Sequence, residues 1–464
     1  MLLRLHIQGF KNLRDVDVRF GPLTCFVGPN GVGKSNVFDA IQFLRHLADD
    51  EIQKAAEAIR QPMEGSFSAL DLLTNRDPDT TLRLVADMLV PLETTDDFAQ
   101  VVQPTASLLT YTVVFRFAPK ENRLVLVEEE LKHHKKGDAA KVLLFPHARA
   151  FRDSVVRAGR FGVAFISTVN EDGQVRIQLH GDGGSRGRPV AAGASPRTIL
   201  GGTTSKEHPT VVAARREMAS WHAVQLEPSS LRTPDRLGET ASVDEHGRHI
   251  AATLRRLGRE RTPAGGTGFH AAEGTPDGMV QVFTEAANHL ARLVPGVDAV
   301  RVRDDQVRQH HVVEVRFRDS ELWMPPRALS EGTLRYLALV AMQMDARSSR
   351  VLCIEEPENG IEPGGVPALM QLLRDYAVDV DEPAGAADNP LRQVILNSHS
   401  RDVVRQLEAH EVLFVEGVQA PDGRFASVRS VDYDGVWRPD AAKVTQEYFR
   451  QWVGGLPRGQ TTFS

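Results

Sequence analysis

The chain has 464 residues, 41% hydrophobic and 25% charged, with a formal net charge of −6 at pH 7. That length supports two or three domains with a sizeable buried core. The acidic balance argues against a dedicated nucleic-acid binder and confines any DNA contact to a local patch.

Residues 1–27 read as short strands. Leu3, Leu5 and Ile7 alternate, Val16, Val18 and Phe20 alternate, and residues 23–27 are nearly all apolar. Next comes Gly28-Pro29-Asn30-Gly31-Val32-Gly33-Lys34-Ser35, a full match to G-x-x-x-x-G-K-[ST]. Val37, Ala40, Ile41, Leu44 and Leu47 then recur at helical spacing. Strand, glycine loop and helix form the context a phosphate-binding loop requires. Glycines let backbone N–H groups turn inward around phosphate oxygens, and the helix adds its N-terminal dipole. Asn30, Gly31, Gly33, Lys34, Ser35 and Asn36 are therefore candidate ligands for ATP. Lys34 is expected at the β- and γ-phosphates and the Ser35 hydroxyl on Mg²⁺.

Residues 51–103 read as mostly helix or loop. Residues 108–117 and 124–131 read as an antiparallel pair turned at 119–122, and His133-His134 as an exposed turn. Residues 149–160 are expected to form a helix with Arg149, Arg152, Arg157 and Arg160 on one solvated face. A hairpin at 161–169 and 175–179 precedes a flexible excursion at 181–202 that is rich in Gly, Ser and Pro. Helices are expected at 210–221 and 280–293, separated by a glycine-rich loop at 263–278. Strands are expected at 300–302, 312–317 and 322–324. Glycine and proline interrupt the heptads between residues 48 and 310, which excludes a long coiled-coil arm.

Leu329-Ser330-Glu331-Gly332-Thr333 opens the next apolar-periodic run, with Ser330 placed as a helix cap. The strand at 350–354 ends in Glu355-Glu356. A carboxylate suits Mg²⁺, directly or through water, and a second can polarise an attacking water. Glu355 is assigned to the metal and Glu356 to the water. A helix at 365–376, a loop at 381–390 and a strand at 393–397 follow, and this alternation predicts a parallel sheet covered by helices. His399, directly after that strand, is placed to bond the γ-phosphate and couple its presence to closure. Cys25 and Cys353 each sit in an apolar strand and read as small buried hydrophobes. Two cysteines exclude a disulfide framework and a cysteine-based zinc site.

Together, Glu355-Glu356-Pro357-Glu358-Asn359-Gly360-Ile361, the Leu-Ser-Glu-Gly-Thr run, Ser398-His399-Ser400 and Ile7-Gln8-Gly9-Phe10-Lys11-Asn12-Leu13 resemble the OLD-like and RecF-like AAA family ATPases. This is the branch of ABC-type ATPases that includes the SMC proteins. The stretch 221–232, with Glu227-Pro228 and Leu231-Arg232, is similar to the group's middle region, and position 355 departs from the more usual Asp. The resemblance implies an α/β fold: an ABC-type P-loop NTPase head with a mostly parallel central sheet. An N-terminal antiparallel region (1–130), an inserted mixed helical and β lobe (131–310) and a C-terminal part (311–464) are expected. It also implies a homodimer or higher even oligomer closed around ATP and Mg²⁺. Ser330 and Gly332 would then bind the γ-phosphate of nucleotide held by the opposing protomer, residues 359–362 would touch the partner, and Lys11 and Asn12 would lie at the nucleotide. No glutamine loop is identifiable.

Glu416 and Asp432 imitate Toprim carboxylates, but only 16 residues separate them. That is too short for the intervening units, so residues 411–416 and 425–431 read as a hairpin, with a closing helix at 441–452. No built-in nuclease is expected, and cutting would come from a partner nuclease or toxin. The gap of 301 residues between Gly28 and Leu329 speaks against a transporter subunit. The expected function is an ATP-hydrolysing head that senses DNA or controls an effector, in anti-phage defence. The rivals are a nucleotide-gated scaffold restraining a toxin or nuclease, and a RecF-like DNA-repair ATPase. DNA contact stays open. No apolar run reaches membrane-spanning length and no signal peptide is evident, so a cytoplasmic protein without membrane contact is expected.

Overall fold

The computed structural model describes all residues except 60–67, 158–163, 172–173, 240–241, 263–268, 271–274, 386–387, 433–436, 439–441 and 455–464. The alternating apolar residues of the N-terminus form strand Leu2–Phe10, which pairs antiparallel with Leu13–Arg19 on one side and Leu82–Leu89 on the other. Leu108–Ala118, Arg123–His133, Ile166–Glu171, Gln174–His180 and Arg186–Ala191 extend this sheet to eight strands, all antiparallel.

A second sheet of seven strands lies beneath it. Trp221–Val224, Val351–Glu355, Gln393–Ser398, Leu23–Val27 and Val412–Ala420 run parallel in that order. The expected hairpin adds Gly423–Val431, and Lys443–Val444 closes the edge. Being buried on both faces, these strands read as continuous apolar runs. Val351, Cys353 and Ile395 face one core, and Leu352, Ile354, Val394 and Leu396 face the other. The first core holds the helix Lys34–Asp49 between the two sheets, where Phe43 meets Phe10 at 6.3 Å and Phe115 at 5.7 Å between ring centroids. Burial raises both cysteine thiols, as befits residues acting as apolar filling.

Gln393 ties the sheets together. Fully buried, it accepts from the Leu2 amide at 2.9 Å and donates to the Leu2 and Gly21 carbonyls at 2.8 Å each. On the far face of the parallel sheet, helices Ile250–Arg261, Asp277–Leu293, Glu331–Met344 and Val366–Tyr376 share the second core. A small sheet of Val297–Asp305, His310–Phe317, Asp235–Arg236 and Trp323–Met324 sits beside them.

Several expectations need correction. Leu82–Leu89 is a central strand, where helix or loop was expected. Its alternation lasts four residues before a fully buried end that includes Asp87, which accepts from Thr110 Oγ1 at 2.5 Å. The excursion at 181–202 is ordered by strand Arg186–Ala191 and by the short helix Ile199–Gly202, capped by Thr198. The helix expected at 210–221 stops at Ala219, and Trp221 begins an edge strand of the parallel sheet. The helix Ile250–Arg261 had no sequence assignment. His133 and His134 are half-buried, against Phe165 and Thr110. The arginine-bearing helix spans Arg149–Val155 alone. Arg157 instead donates to the Pro104 carbonyl, and Arg160 lies outside the described residues. Most of the glycine-rich loop at 263–278 also lies outside them. Strands from residues 131–310 join both large sheets and the small sheet of Val297–Asp305. No described helix is long and apolar enough to cross a membrane.

Candidate functional site

Strands Leu23–Val27, Gln393–Ser398 and Val351–Glu355 are neighbours and parallel, so their carboxyl ends open side by side. In open α/β sheets ligands bind at such ends. A cleft of about 400 Å³ lies there. Asn12, Asn30, Gly31, Gly33, Lys34, Ser35 and Asn36 line one wall, and Glu355, Glu356 and Asn397 the other.

The glycine loop is shaped by close approach. A Cβ at Gly28 would stand 2.2 Å from the Val415 carbonyl oxygen, and one at Gly33 2.6 Å from the Asn12 amide. Gly31 and Gly33 also have φ of 74° and 110°, left-handed values that glycine adopts without strain. Lys34 folds back over the loop and donates to the Gly28 and Pro29 carbonyls at 2.7 and 2.8 Å. Burial lowers its ammonium below the usual lysine range, opposed by the carboxylates of Glu356, Glu355 and Glu358. A phosphate arriving at the loop offers this cation a stronger, charge-assisted acceptor.

Ser35 Oγ donates to Glu355 Oε2 at 3.1 Å. A hydroxyl and a carboxylate converging at that distance form the hard-oxygen donor set that suits Mg²⁺. Glu355 therefore reaches the site although it is longer than the usual Asp. Asn12 buttresses the loop: its Nδ2 donates to the Val32 carbonyl at 3.1 Å and its Oδ1 accepts from Asn36 at 2.7 Å. Lys11 does not line the cleft, because its ammonium is held 2.7 Å from Asp39 on the following helix.

Glu356 carries a φ of +45°, a left-handed value that is costly for a residue with a Cβ. Its backbone N–H donates to the Asn397 carbonyl at 3.0 Å and to Asn397 Oδ1 at 3.2 Å. The bend turns its carboxylate toward His399, whose Nδ1 lies 2.7 Å from Oε1, while Asn359 Nδ2 donates to Oε2 at 3.0 Å. Two residues 43 apart in sequence thus meet as a pair. Sequence reasoning missed Asn397 as a site residue. Its signal was its place at the end of the strand that delivers His399.

Ser330 caps the helix Glu331–Met344, accepting from the Thr333 amide at 3.2 Å. It is exposed and does not line the cleft. Gly332 is buried, and a Cβ there would stand 2.0 Å from the Gly360 carbonyl oxygen, so the capping turn lies directly on the acidic turn.

Two family models match the chain. One, described as an AAA domain, putative AbiEii toxin, Type IV TA system, covers residues 224–405, and another, an AAA domain, covers residues 4–45. An OLD nuclease of Thermus scotoductus is 33% identical over 85 residues, which is 18% of this chain and 15% of that protein. A DNA replication and repair protein RecF of Acidothermus cellulolyticus is 27% identical over 175 residues, 37% of this chain and 46% of that protein. By these matches the chain is similar to AAA-domain ATPases of the OLD and RecF type. The matched stretches span less than half of either relative. Among solved structures, an Smc head bound to the C-winged helix domain of ScpA aligns with this chain at a TM-score of 0.47 and 12% identity, over 92% of this chain and 97% of that one. The two family models take in both walls of the cleft. The shorter family model contains the phosphate loop, and the longer one contains Ser330, Glu355, Glu356 and His399.

Proposed function

We propose that the head binds ATP with Mg²⁺ in the cleft, closes against a second copy and hydrolyses the nucleotide on closure. The observation that carries this reading is the division of the parts. The phosphate loop, the Ser35–Glu355 pair and Glu356 line one cleft, with His399 bonded to Glu356 at its edge, whereas the exposed Ser330 does not line it. A second protomer supplies what one chain leaves out. The loop amides and Lys34 hold the β- and γ-phosphates. Mg²⁺, held by Ser35 and Glu355, offsets phosphate charge. Glu356 orients and deprotonates the attacking water, and His399 steadies Glu356 and reads the γ-phosphate. Ser330 and Gly332 of the opposing copy present a helix N-terminus to the same phosphate. Asn12 and Asn36 shape the loop.

Complementation tests the shared site. Lys34→Ala and Ser330→Arg are each expected to lose ATPase activity as pure samples. An equal mixture rebuilds one intact site per heterodimer, and steady-state phosphate release recovers. A mixture as inactive as its components, in a heterodimer that still forms with ATP, removes the shared-site reading.

The head is read as a relay that couples nucleotide state to DNA or to a partner effector in anti-phage defence. The longer family is described as an AAA domain, putative AbiEii toxin, of a Type IV toxin–antitoxin system, and this reading places the effector in a separate chain. The 175-residue similarity to RecF favours a second reading, a repair ATPase. That reading expects ATPase activity stimulated by DNA and DNA binding that weakens steeply with salt. Absence of both at low ionic strength leaves the effector reading standing.

A further inference from the structure

Glu358 belongs to no step described so far. It sits in the acidic turn, with its side chain nine-tenths buried. Its Oε1 accepts from the hydroxyl of Ser398, the fully buried last residue of the strand that delivers His399. Ser398 Oγ in turn accepts from the Ser400 amide at 2.9 Å. Glu358 Oε2 is buried without a hydrogen-bond partner among the described residues. An ionised carboxylate left half-satisfied in a dry place is costly. Burial correspondingly raises the Glu358 acid above the usual carboxylate range, opposed by the Ser398 hydrogen bond. The turn is otherwise closed by its own backbone: Asn359 N–H donates to the Glu356 carbonyl at 3.0 Å and Ile361 N–H to the Glu358 carbonyl at 2.9 Å. Gly360, between them, is the residue against which Gly332 packs.

A continuous path therefore runs from the capping turn at Ser330, through Gly332 on Gly360, to Glu358, Ser398 and His399, and back to Glu356. The bond between Glu358 and Ser398 is a buried side-chain link from the turn to the histidine strand, beside those that Glu356 makes to Asn397 and His399. We propose that Glu358 is a positioning residue that latches Ser398 so that His399 meets Glu356, and so passes contact at the Ser330 turn to the catalytic pair. The proposal deepens the reading of the cleft as an ATPase site and rests on it. A bond of this kind needs an acceptor oxygen at the right reach, which the glutamine amide supplies and alanine lacks.

The test compares Glu358→Ala, Glu358→Gln and Ser398→Ala with the unaltered chain, using two readouts. In the nucleotide-free protein, amide hydrogen exchange of the 398–400 segment is expected to rise about tenfold in both alanine variants and to stay near the original in Glu358→Gln. In steady-state ATP hydrolysis, the alanine variants are expected to lose about tenfold in kcat, with KM for ATP within about twofold, while glutamine restores most of the rate. If Glu358→Ala fails to fold, Ser398→Ala breaks the same bond from its other end. Unchanged exchange at 398–400 in the alanine variants overturns the latch. So does unchanged kcat in them, or a glutamine variant as slow as alanine. An unaltered chain that hydrolyses no ATP instead removes the ATPase reading, and the exchange measurement still judges the latch.

Discussion

Gly332 has no room for a methyl group. Its added Cβ would lie 2.0 Å from a backbone oxygen, which cannot swing aside as a side-chain tip can. Gly332→Ala is therefore expected to destabilise the head by about 1–3 kcal/mol, as overpacking does, with a matching fall in the urea midpoint. Gly31 is a useful contrast. It has φ 74° but nothing within 4 Å of an added Cβ, so Gly31→Ala carries only the left-handed backbone penalty, roughly 1 kcal/mol. Equal losses in both variants would show that contact with the acidic turn does not matter. Lys34, Ser35, Glu355, Glu356 and His399 could be singled out as candidates because each belongs to a short motif whose spacing suits phosphate and metal chemistry. Asn397 and Glu358 were not, because their partners lie 41 and 40 residues away in sequence and only strand pairing brings them together. Lys11 was misplaced for a related reason: no spacing rule reveals that Asp39 holds it on the next helix.

Among the elements, the short helix Ile199–Gly202 shows how a glycine-rich stretch can be ordered by one acid. Glu129, fully buried on strand Arg123–His133, accepts from the Ile199 and Leu200 amides at 2.7 and 2.8 Å and from the Tyr111 hydroxyl at 3.1 Å. Burial pushes its carboxyl up to about 7, against the pull of those donors. A raised folded-state value means that its contribution is complete below the unfolded value of 4.5 and is lost as pH climbs through 7. The corresponding swing is about 3 kcal/mol. Denaturant midpoints at pH 5, 6, 7 and 8 should therefore fall more steeply for the native chain than for Glu129→Gln. Parallel curves would mean that the acid stays ionised throughout. Composition marked residues 181–202 as flexible because Gly, Ser and Pro lack local structure of their own, and a carboxylate some seventy residues upstream is invisible to that criterion. Strands within 2–27, 108–133 and 412–431 were legible from alternation, a continuous apolar run or a hairpin turn, whereas Leu82–Leu89 and Trp221–Val224 were obscured by a buried aspartate and by a length of four residues.

For the whole molecule, the proposed cycle predicts that Glu356→Gln binds ATP without consuming it. With ATP and Mg²⁺ this variant is expected to elute at twice the 51.1 kDa protomer mass, and at the protomer mass with ADP or after chelation of the metal. Light scattering in line with gel filtration reads this directly. A single mass under every condition would count against closure around nucleotide. The layered α/β plan was legible from the order of periodic segments. The entry of strands from residues 131–310 into both large sheets was not, since it depends on long-range pairing.

Gln393 sets the terms of any motion in this head. Sliding one large sheet across the other would strand its amide and the three backbone groups it serves in a dry seam, at roughly 1–3 kcal/mol for each group left unmet. The two large sheets must then travel as one chassis. Under the proposed cycle, motion set off by nucleotide is expected in the smaller sheet and the helices around Ser330, which Gln393 does not bond.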